Sequence, residues 1–582
     1  MQFRMGRREF VASAGLAAVA AVAAVAAAGG ANARTAGSVL ARASAAGPQP
    51  VGMKSGPPAK HLFAFRLEDL PVNARDLHLT LHCLQGLVNR AQPQLYLLQD
   101  RYDELWLNWL KERGDVETTQ FLEIGELFER FGGYATCMFV TDPAIPASVN
   151  VATMLAAVHD GLVVTPDMAS MFPLPKGAYP DSFKTGADLR VMHWKQDIEA
   201  YRWVYGEIGD HLSRRAVAIV DPDTAAIRDY LVQFKVPLLW ISSPKSPQRA
   251  SESFREERDF VREIFMQWPP NIPCMGWPLD GPGIGEWEGV RIASQCAKFE
   301  VCSGNDGYSP SVSNLSVHSG TNAILRQRPA PAVPALERDK VHIAFTRTDG
   351  DGLNFQRHYY RKLFDDPQHG SVPLGWQIGA NAADFNPAIL DYYYRHALPG
   401  DCFVNALTGV GYIHEDCYAD NYPPEQREQI WKEYLELSSR YRARIDASLM
   451  VTFSEMEPQR LARFAAIEGI DGVLANYGTT SITTLDNEVT RSAGKPVFRS
   501  ISSRAPELTF TPTGRRRAEV AMVDEIIQFT PLTRPAFMHV SLSNWLSHLG
   551  MLENIVKRLG PTYAPVRPDH LIALYKLAQA RA

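Results

Sequence analysis

Hydrophobic and polar positions alternate in a regular order along the second half of the chain. Seven apolar, strand-like runs occupy residues 341–348, 373–380, 402–409, 444–455, 469–478, 495–502 and 535–545. Helical spacing of apolar residues separates most of these runs, at 355–364, 387–398, 424–441, 457–468 and 515–529. Strands that alternate with helices form parallel sheets, so the pattern predicts a (β/α) barrel of seven or eight strands over 336–582. An open doubly wound sheet is the alternative.

The first half of the chain shows the same alternation in shorter units. Strand-like runs at 61–67 and 93–98 are followed by helical stretches at 77–90 and 102–113, and the pattern continues to about residue 241. It predicts an N-terminal α/β domain of Rossmann-like type over 59–250. Residues 251–335 are rich in Gly, Pro, Ser and Trp, which predicts a middle segment that packs on the barrel.

The first 58 residues read as a targeting segment and a linker. Arg7 and Arg8 precede an apolar, alanine-rich stretch at 11–28, and Ala31-Asn32-Ala33 offers a small-residue cleavage site. The paired arginines indicate a twin-arginine signal over 1–33, and 34–58 is predicted to be a disordered linker. We therefore expect a protein exported by the twin-arginine pathway to the periplasm or the outside, with no stable membrane span once the signal is removed.

Composition and charge exclude several function classes. The net charge of −5 over 582 residues provides no basic face for nucleic acid, so no nucleic-acid partner is expected. The chain has no GxGxxG, no phosphate-binding P-loop and no zinc-ligand spacing among its cysteines. We therefore predict no cofactor and assign no metal ligands.

Polar residues gather where the strand-like runs of the second half end. Ligands bind at the carboxyl ends of strands in both candidate folds, so these residues form the predicted site. The predicted catalytic carboxylates are Asp349, Asp351, Glu415 and Glu455. The predicted substrate-binding residues are Trp376, Asn381, Asp384, Gly409, Gly411, Tyr412, His414, Asn476, Tyr477, His539, Asn544 and Trp545.

Each of these assignments has a structural alternative. Asp349 and Asp351 are two residues apart beside glycines, which suits sugar hydroxyls or a raised carboxyl pKa but equally suits a simple turn. Glu455 follows the fourth run, where an acid/base carboxylate would lie, yet it could belong to the first turn of a helix. His539 in an apolar strand is more typical of a hydrogen-bonded core histidine. The seventh run contains no carboxylate.

Several stretches resemble one known family, the GxGYxYP proteins, whose members are taken to be glycoside hydrolases. The most telling are LQGLVNRAQPQLYL, GEWEGV, TDGDGLNFQ and ALTGVGY. The motif that names the family maps to Gly409, Gly411 and Tyr412, and the chain continues with His414 and Glu415 where the family has Tyr and Pro. The resemblance implies a variable N-terminal α/β portion, a C-terminal barrel-like domain and a carbohydrate substrate.

Three functions remain open from the sequence. The first is an exported glycoside hydrolase that acts on a poly- or oligosaccharide with paired carboxylates at the barrel mouth. The second is a non-catalytic glycan-binding protein, which the missing carboxylate in the seventh run favours. The third is a metal-dependent, deacetylase-like hydrolase that would use Asp349, Asp351 and a histidine.

Overall fold

The computed structural model describes residues 50–70, 76–171, 184–244, 254–307, 309–453, 457–475, 489–502, 512–543 and 548–580. The predicted signal peptide lies outside these ranges, as do five of the predicted site residues: Glu455, Asn476, Tyr477, Asn544 and Trp545. Residues 51–58, predicted as linker, are instead part of the fold. Val51 and Met53 are buried, and the Met53 N–H donates to the Tyr230 hydroxyl at 2.8 Å.

Three small parallel sheets form the part of the protein before the barrel. Their strands are β1 His61–Arg66, β2 Leu95–Leu98, β3 Thr118–Phe121, β4 Cys137–Val140, β5 Gly161–Val164, β6 Lys184–Asp188, β7 Val217–Ile219, β8 Leu238–Leu239, β9 Ile272–Gly276 and β10 Lys298–Cys302. The sheet orders are β2-β1-β3, β5-β4-β6 and β10-β9-β7-β8. The boundary predicted at residue 250 therefore falls inside the third sheet, because β9 pairs with β7.

Helices connect these strands, as their apolar spacing predicts. The described helices before the barrel are Leu77–Val88, Arg101–Glu112, Ile124–Phe131, Ala147–His159, Pro166–Met171, Asp197–Ile208, Arg228–Gln233, Phe254–Gln267, Glu286–Gln295 and Leu315–His318. Short 3-10 turns occur at Leu67–Asp69, Gly132–Tyr134, Leu189–Met192 and Gly209–His211. The described part of the segment after residue 250 thus contains three helices and two strands of the third sheet, rather than only irregular chain.

The second half of the chain forms a closed barrel. Its strands are β11 Val341–Arg347, β12 Leu374–Ile378, β13 Asp401–Asn405, β14 Leu449–Val451, β15 Gly472–Ala475, β16 Thr490–Ser492, β17 Lys495–Ser502, β18 Ala536–Leu542 and β19 Tyr563–Pro565. Seven of them form a parallel ring in the order β12-β13-β14-β15-β17-β18-β11, which the pairing of β11 with β12 closes. The predicted (β/α) barrel is confirmed with seven strands, and the open-sheet alternative is wrong.

Burial on both faces explains why the barrel strands read as continuous apolar runs. Every residue of β11, β13 and β18 is buried, between the barrel interior on one side and the helices on the other. The described helices of the barrel are Leu353–Arg357, Tyr359–Phe364, Ala382–Phe385, Pro387–His396, Pro424–Arg444, Pro458–Ala465, Pro512–Gln528, Leu549–Leu559 and Pro568–Ala580. None of the helices within the described ranges is long and apolar enough to cross a membrane.

A buried ion pair fixes the first sheet to the barrel. The Arg357 guanidinium, in the helix that follows β11, lies 2.8 Å from a carboxylate oxygen of Asp103, and both side chains are 0% exposed. The Trp106 indole N–H donates to the Arg357 carbonyl at 2.7 Å. A buried charge pair with several hydrogen bonds tolerates little displacement. These contacts therefore hold the first sheet and the first helix after β11 in one arrangement.

Candidate active site

A cleft of about 570 Å³ opens where strands of the third sheet and of the barrel end close together. The residues after β9 and β10 form one wall, and those after β11 and β13 form the other. Its lining residues are Trp277, Leu279, Asp280, Glu286, Cys302, Asp306, Gly307, Asp349, Asp351, Gly352, Asn354, Phe355, Leu407 and Tyr412. Carboxyl ends of parallel strands are where α/β folds bind ligands. This cleft is therefore the candidate active site.

Five carboxyl groups line the cleft. Asp349 and Asp351 follow β11, and Asp349 takes a left-handed conformation (φ 62°) that Asp tolerates better than most residues. The Thr348 hydroxyl donates a hydrogen bond to the Asp349 carboxylate. Asp280 and Asp306 follow β9 and β10, and the Asn354 amide donates to an Asp306 oxygen at 3.0 Å. The two predicted aspartates thus lie in the cleft together with acids from an earlier part of the chain.

Glu286, the fifth acid, begins the helix between β9 and β10. Its side chain is open to the cleft, and the Tyr412 hydroxyl donates to its Oε1 atom at 3.3 Å. Tyr412 is itself 3% exposed and carries its hydroxyl into the cleft from the loop after β13. The hydrogen bond therefore orients a carboxyl from outside the barrel against the motif residue of the barrel.

Burial and mutual repulsion raise the pKa of two of these carboxyl groups. For Asp351, burial and then the charge of Asp349 raise the pKa to about 7. For Glu286, which is exposed only toward the cleft, desolvation by the surrounding protein and then the charge of Asp349 raise the pKa to about 7, against the opposing effect of the Tyr412 hydrogen bond. Near neutral pH the cleft therefore contains carboxyl groups that keep a proton beside Asp349, whose charge contributes to both shifts. Such a set can donate a proton and accept one.

The loop after β13 that carries Gly409, Gly411 and Tyr412, called here the motif loop, meets the third sheet through its backbone. The Tyr412 and Glu300 backbones exchange two hydrogen bonds of 2.8 and 3.1 Å, so the loop forms an isolated antiparallel bridge with β10. A Cβ on Gly411 would lie 2.5 Å from the Phe299 ring. Gly409 has φ 110°, and its Cβ would lie 2.4 Å from the Ser438 hydroxyl. Both glycines thus make room for protein rather than for a substrate, which corrects the sequence interpretation.

His414 and Glu415 lie behind the cleft wall rather than in it. The His414 Nε2 atom is 3.2 Å from the Tyr412 hydroxyl, and burial lowers the histidine pKa to about 4. Glu415 is 6% exposed, and its Oε1 accepts the Phe453 N–H at 2.8 Å. His414 therefore backs Tyr412, and Glu415 fastens the motif loop to the end of β14. Glu415 does not line the cleft, so the position does not fit a catalytic carboxylate.

Four further predicted substrate contacts are structural. Trp376 is 0% exposed and donates its indole N–H to Asp401 at 2.8 Å. Asn381 is buried and donates to the Val410 carbonyl at 2.8 Å, which supports the motif loop. The Asp384 carboxylate is buried and accepts from Arg444 and from the Gly52 N–H. His539 is a core histidine, with its ring nitrogens 3.1 Å from Thr346 and 2.7 Å from Ser500. None of these four side chains lines the cleft.

Most of the cleft residues that sequence reasoning missed come from the segment of the third sheet, and the others are Gly352, Asn354, Phe355 and Leu407 of the barrel. Trp277, Asp280 and Glu286 belong to the segment that composition marks as Gly-, Pro- and Trp-rich. The stretch GEWEGV, which contains Glu286, resembles the family, but this resemblance assigned no role to Glu286. Only the pairing of β10 with β9, of β9 with β7, and of Glu300 with Tyr412 brings this segment to the barrel mouth. No spacing within the sequence indicates that contact.

The described residues give no donor set for a metal ion. Within the ranges above, no group of three or more His, Cys, Asp or Glu side chains is arranged so that it could hold one. All seven cysteines lie in the described ranges and are free thiols. The metal-dependent hydrolase considered from the sequence therefore gains no support from the cleft geometry.

The fold and the site define a barrel protein with an acidic cleft, and comparisons identify its family. Four models of one family match, described as "GxGYxYP_N 1st domain" (61–132), "GxGYxYP_N second domain" (133–212), "GxGYxYP third domain" (214–320) and "GxGYxYP putative glycoside hydrolase C-terminal domain" (339–576). Together they span most of the chain, which therefore belongs to the GxGYxYP family. The resemblance stated from the motif is confirmed.

The fold is shared with a solved structure. The chain is similar to a protein described as a "putative hydrolase" from Bacteroides thetaiotaomicron VPI-5482, with a TM-score of 0.74 and 20% sequence identity. The similarity covers 91% of this chain and 98% of that one. At this identity the likeness establishes the fold alone. No curated protein matches the chain.

Proposed function

We propose that the protein is a glycoside hydrolase that cleaves a poly- or oligosaccharide in the acidic cleft. The observation that carries the proposal is the pair of proton-holding carboxyl groups, Glu286 and Asp351, beside Asp349. Glycosidic bonds are hydrolysed by two carboxyl groups, one protonated and one ionised, on either side of the scissile bond. The family description as a glycoside hydrolase supports the same substrate class.

Glu286 is the proposed general acid. It is open to the cleft, oriented by Tyr412 and protonated near neutral pH, so it can give its proton to the glycosidic oxygen as the bond from that oxygen to the anomeric carbon breaks. Asp349 is the proposed ionised partner, which either bonds to the anomeric carbon or takes a proton from the attacking water. Asp351 retains a proton beside Asp349. Because the protonated Asp351 is neutral, the repulsion between the two carboxyl groups is small.

We propose further that the protein acts outside the cytoplasm. Arg7 and Arg8 ahead of the apolar stretch at 11–28, with Ala31-Asn32-Ala33 after it, support export by the twin-arginine pathway. A polymeric substrate fits this location because polysaccharides do not enter the cell unaided. Replacement of both arginines by lysine tests the route. Loss of the processed protein from the periplasmic fraction is expected, and unchanged export would contradict the proposal.

A panel of polysaccharides tests the proposed activity. The purified mature protein is incubated with xylan, laminarin, starch, pectin and arabinogalactan, and new reducing ends are measured. Activity on at least one glycan is expected, and it should be lost in both Glu286→Gln and Asp349→Asn. Reducing ends released equally by the wild type and both variants would refute the assignment. Binding of a glycan without release would indicate the non-catalytic glycan-binding protein that the sequence left open.

A further inference from the structure

Trp287 stands out among the aromatic residues around the cleft. Its side chain is 59% exposed, whereas Trp106, Trp240 and Trp376 are almost completely buried. It directly follows Glu286 in the first turn of the helix Glu286–Gln295. An indole combines a large, rigid apolar surface with one polar N–H, which suits contact with a ligand that has both apolar and polar parts.

The Trp287 ring is fixed from behind by other aromatic residues. Its centroid lies 4.3 Å from the His414 ring and 6.0 Å from the Phe453 ring. His414 and Phe453 are stacked, with an interplanar angle of 12°. His414 also contacts the Tyr412 hydroxyl, which reaches Glu286. A continuous series of aromatic contacts thus connects the cleft residue Tyr412 to the exposed indole through the buried His414.

We propose that Trp287 is a sugar-stacking platform that binds a pyranose unit next to the bond cleaved at Glu286. The inference rests on the proposed function and specifies its substrate. A pyranose has an apolar face of C–H groups that packs against an indole, while its hydroxyl groups remain free for polar contacts. The contacts with His414 and Phe453 restrict the ring while more than half of its side chain stays exposed, so the contact with a sugar comes at little entropic cost.

This platform implies a substrate longer than the unit that reacts. Trp287 adjoins Glu286 but does not line the 570 Å³ cleft itself, so a sugar on the indole lies beyond the sugars within the cleft. A glycoside that carries a single sugar would occupy the cleft and leave the indole uncovered. The substrate class is therefore a polysaccharide or a long oligosaccharide that extends from the cleft to Trp287.

Affinity gel electrophoresis in the same five polysaccharides tests the platform. Trp287→Ala should lower the apparent affinity for the glycan about tenfold, which is seen as weaker retardation in the gel. Trp287→Phe should restore most of this affinity. Ile324→Ala is the matched control, since Ile324 is 85% exposed and lies outside the cleft, and it should behave as wild type. A cooperative thermal unfolding transition shows that each variant is folded, and Trp287→Phe retains a ring that can pack on His414 and Phe453.

The outcomes separate the platform from the proposed activity. Wild-type affinity in Trp287→Ala, or no retardation of the wild type by any of the five glycans, would overturn the platform. Binding that depends on Trp287 without any release of reducing ends would keep the platform and refute the hydrolase. Release of reducing ends by the wild type, together with unaltered glycan binding by Trp287→Ala, would keep the hydrolase and refute the platform.

Discussion

The Tyr412 hydroxyl donates a hydrogen bond to Glu286 over a distance of 3.3 Å and 126 residues of chain. Tyr412 belongs to the motif loop of the barrel, and Glu286 begins a helix of the third sheet. The family's name motif therefore has a physical role in joining the two halves of the cleft. Gly411 lets the loop approach the third sheet, and Gly409 lets it pass close to Ser438 of the helix Pro424–Arg444. Tyr412 then reaches the carboxyl group of Glu286.

Replacement of Glu286 by Gln should abolish glycan hydrolysis. The amide preserves the shape of the side chain but cannot give a proton to the leaving oxygen, and the loss of a general acid costs about 10²–10⁴ in rate. Release of reducing ends from the best substrate of the panel is the measurement. Glu288→Gln, on the same helix but outside the cleft, should retain activity. Equal losses in both variants would point to damage to the helix rather than to catalysis.

Replacement of Tyr412 by Phe should shift the pH dependence upward. The hydroxyl donates to the ionised form of Glu286 and so lowers the pKa of this group, whereas burial and Asp349 raise it to about 7. A general acid must be protonated, so activity falls as pH rises through this pKa. Without the hydroxyl the pKa rises, and the alkaline limb of the kcat/KM profile moves to higher pH.

Tyr134→Phe is the control for that experiment. Tyr134 is 43% exposed and donates no hydrogen bond to a cleft residue among the described contacts, since its hydroxyl accepts from Gln94. Its profile should superimpose on that of the wild type. An alkaline limb of Tyr412→Phe that stays in place or moves to lower pH would show that Glu286 is not the group that controls it.

The barrel was predictable from sequence because its physics is local. Strands buried on both faces, such as 341–347 and 536–542, are mostly apolar, and the helices between them must carry an apolar stripe. Asp349 and Asp351 follow directly from such a strand, and they do line the cleft. Prediction at this level needs only the position of a residue relative to its own strand.

Half of the cleft was not predictable because it depends on pairing between distant segments. Glu286 reaches the barrel only because β10 and the motif loop exchange backbone hydrogen bonds at Glu300 and Tyr412. Trp376 was misassigned for a related reason. It occupies a barrel strand, as predicted, but its indole points to the buried Asp401 carboxylate, and alternation within a fully buried strand does not reveal which way a side chain points.

Replacement of Gly411 by Ala should disturb both stability and activity. The new Cβ would lie 2.5 Å from the Phe299 ring and 2.9 Å from the Glu300 carbonyl, which forces the loop away from β10. Overpacking of this kind costs about 1–3 kcal/mol in free energy of unfolding and would displace Tyr412. Gly125→Ala, where a Cβ meets nothing within 4 Å, is the control and should be nearly neutral in urea denaturation. A neutral Gly411→Ala would show that the loop contact is not close.

Replacement of Glu300 by Gln should change stability in a pH-dependent way. Glu300 is 1% exposed below the cleft, and burial raises its pKa from 4.5 to about 8, to which the charge of Glu286 also contributes. The unfolded chain releases this proton above pH 4.5, whereas the folded chain keeps it until about pH 8. The contribution of Glu300 to the free energy of unfolding of the wild type is therefore fully present below pH 4.5. This contribution is lost progressively as pH rises to about 8.

Glu300→Gln cannot ionise, so it should escape that loss. The free energy of unfolding of the variant, relative to that of the wild type, should be higher at pH 9 than at pH 5 by on the order of a few kcal/mol, as measured by urea denaturation at both pH values. Glu436→Gln, at an exposed position of the helix Pro424–Arg444, should show the same difference from wild type at both pH values. A pH-independent effect of Glu300→Gln would contradict the raised pKa of Glu300, since neither group that interacts with it, Cys274 or Glu286, can carry a positive charge that offsets the carboxylate.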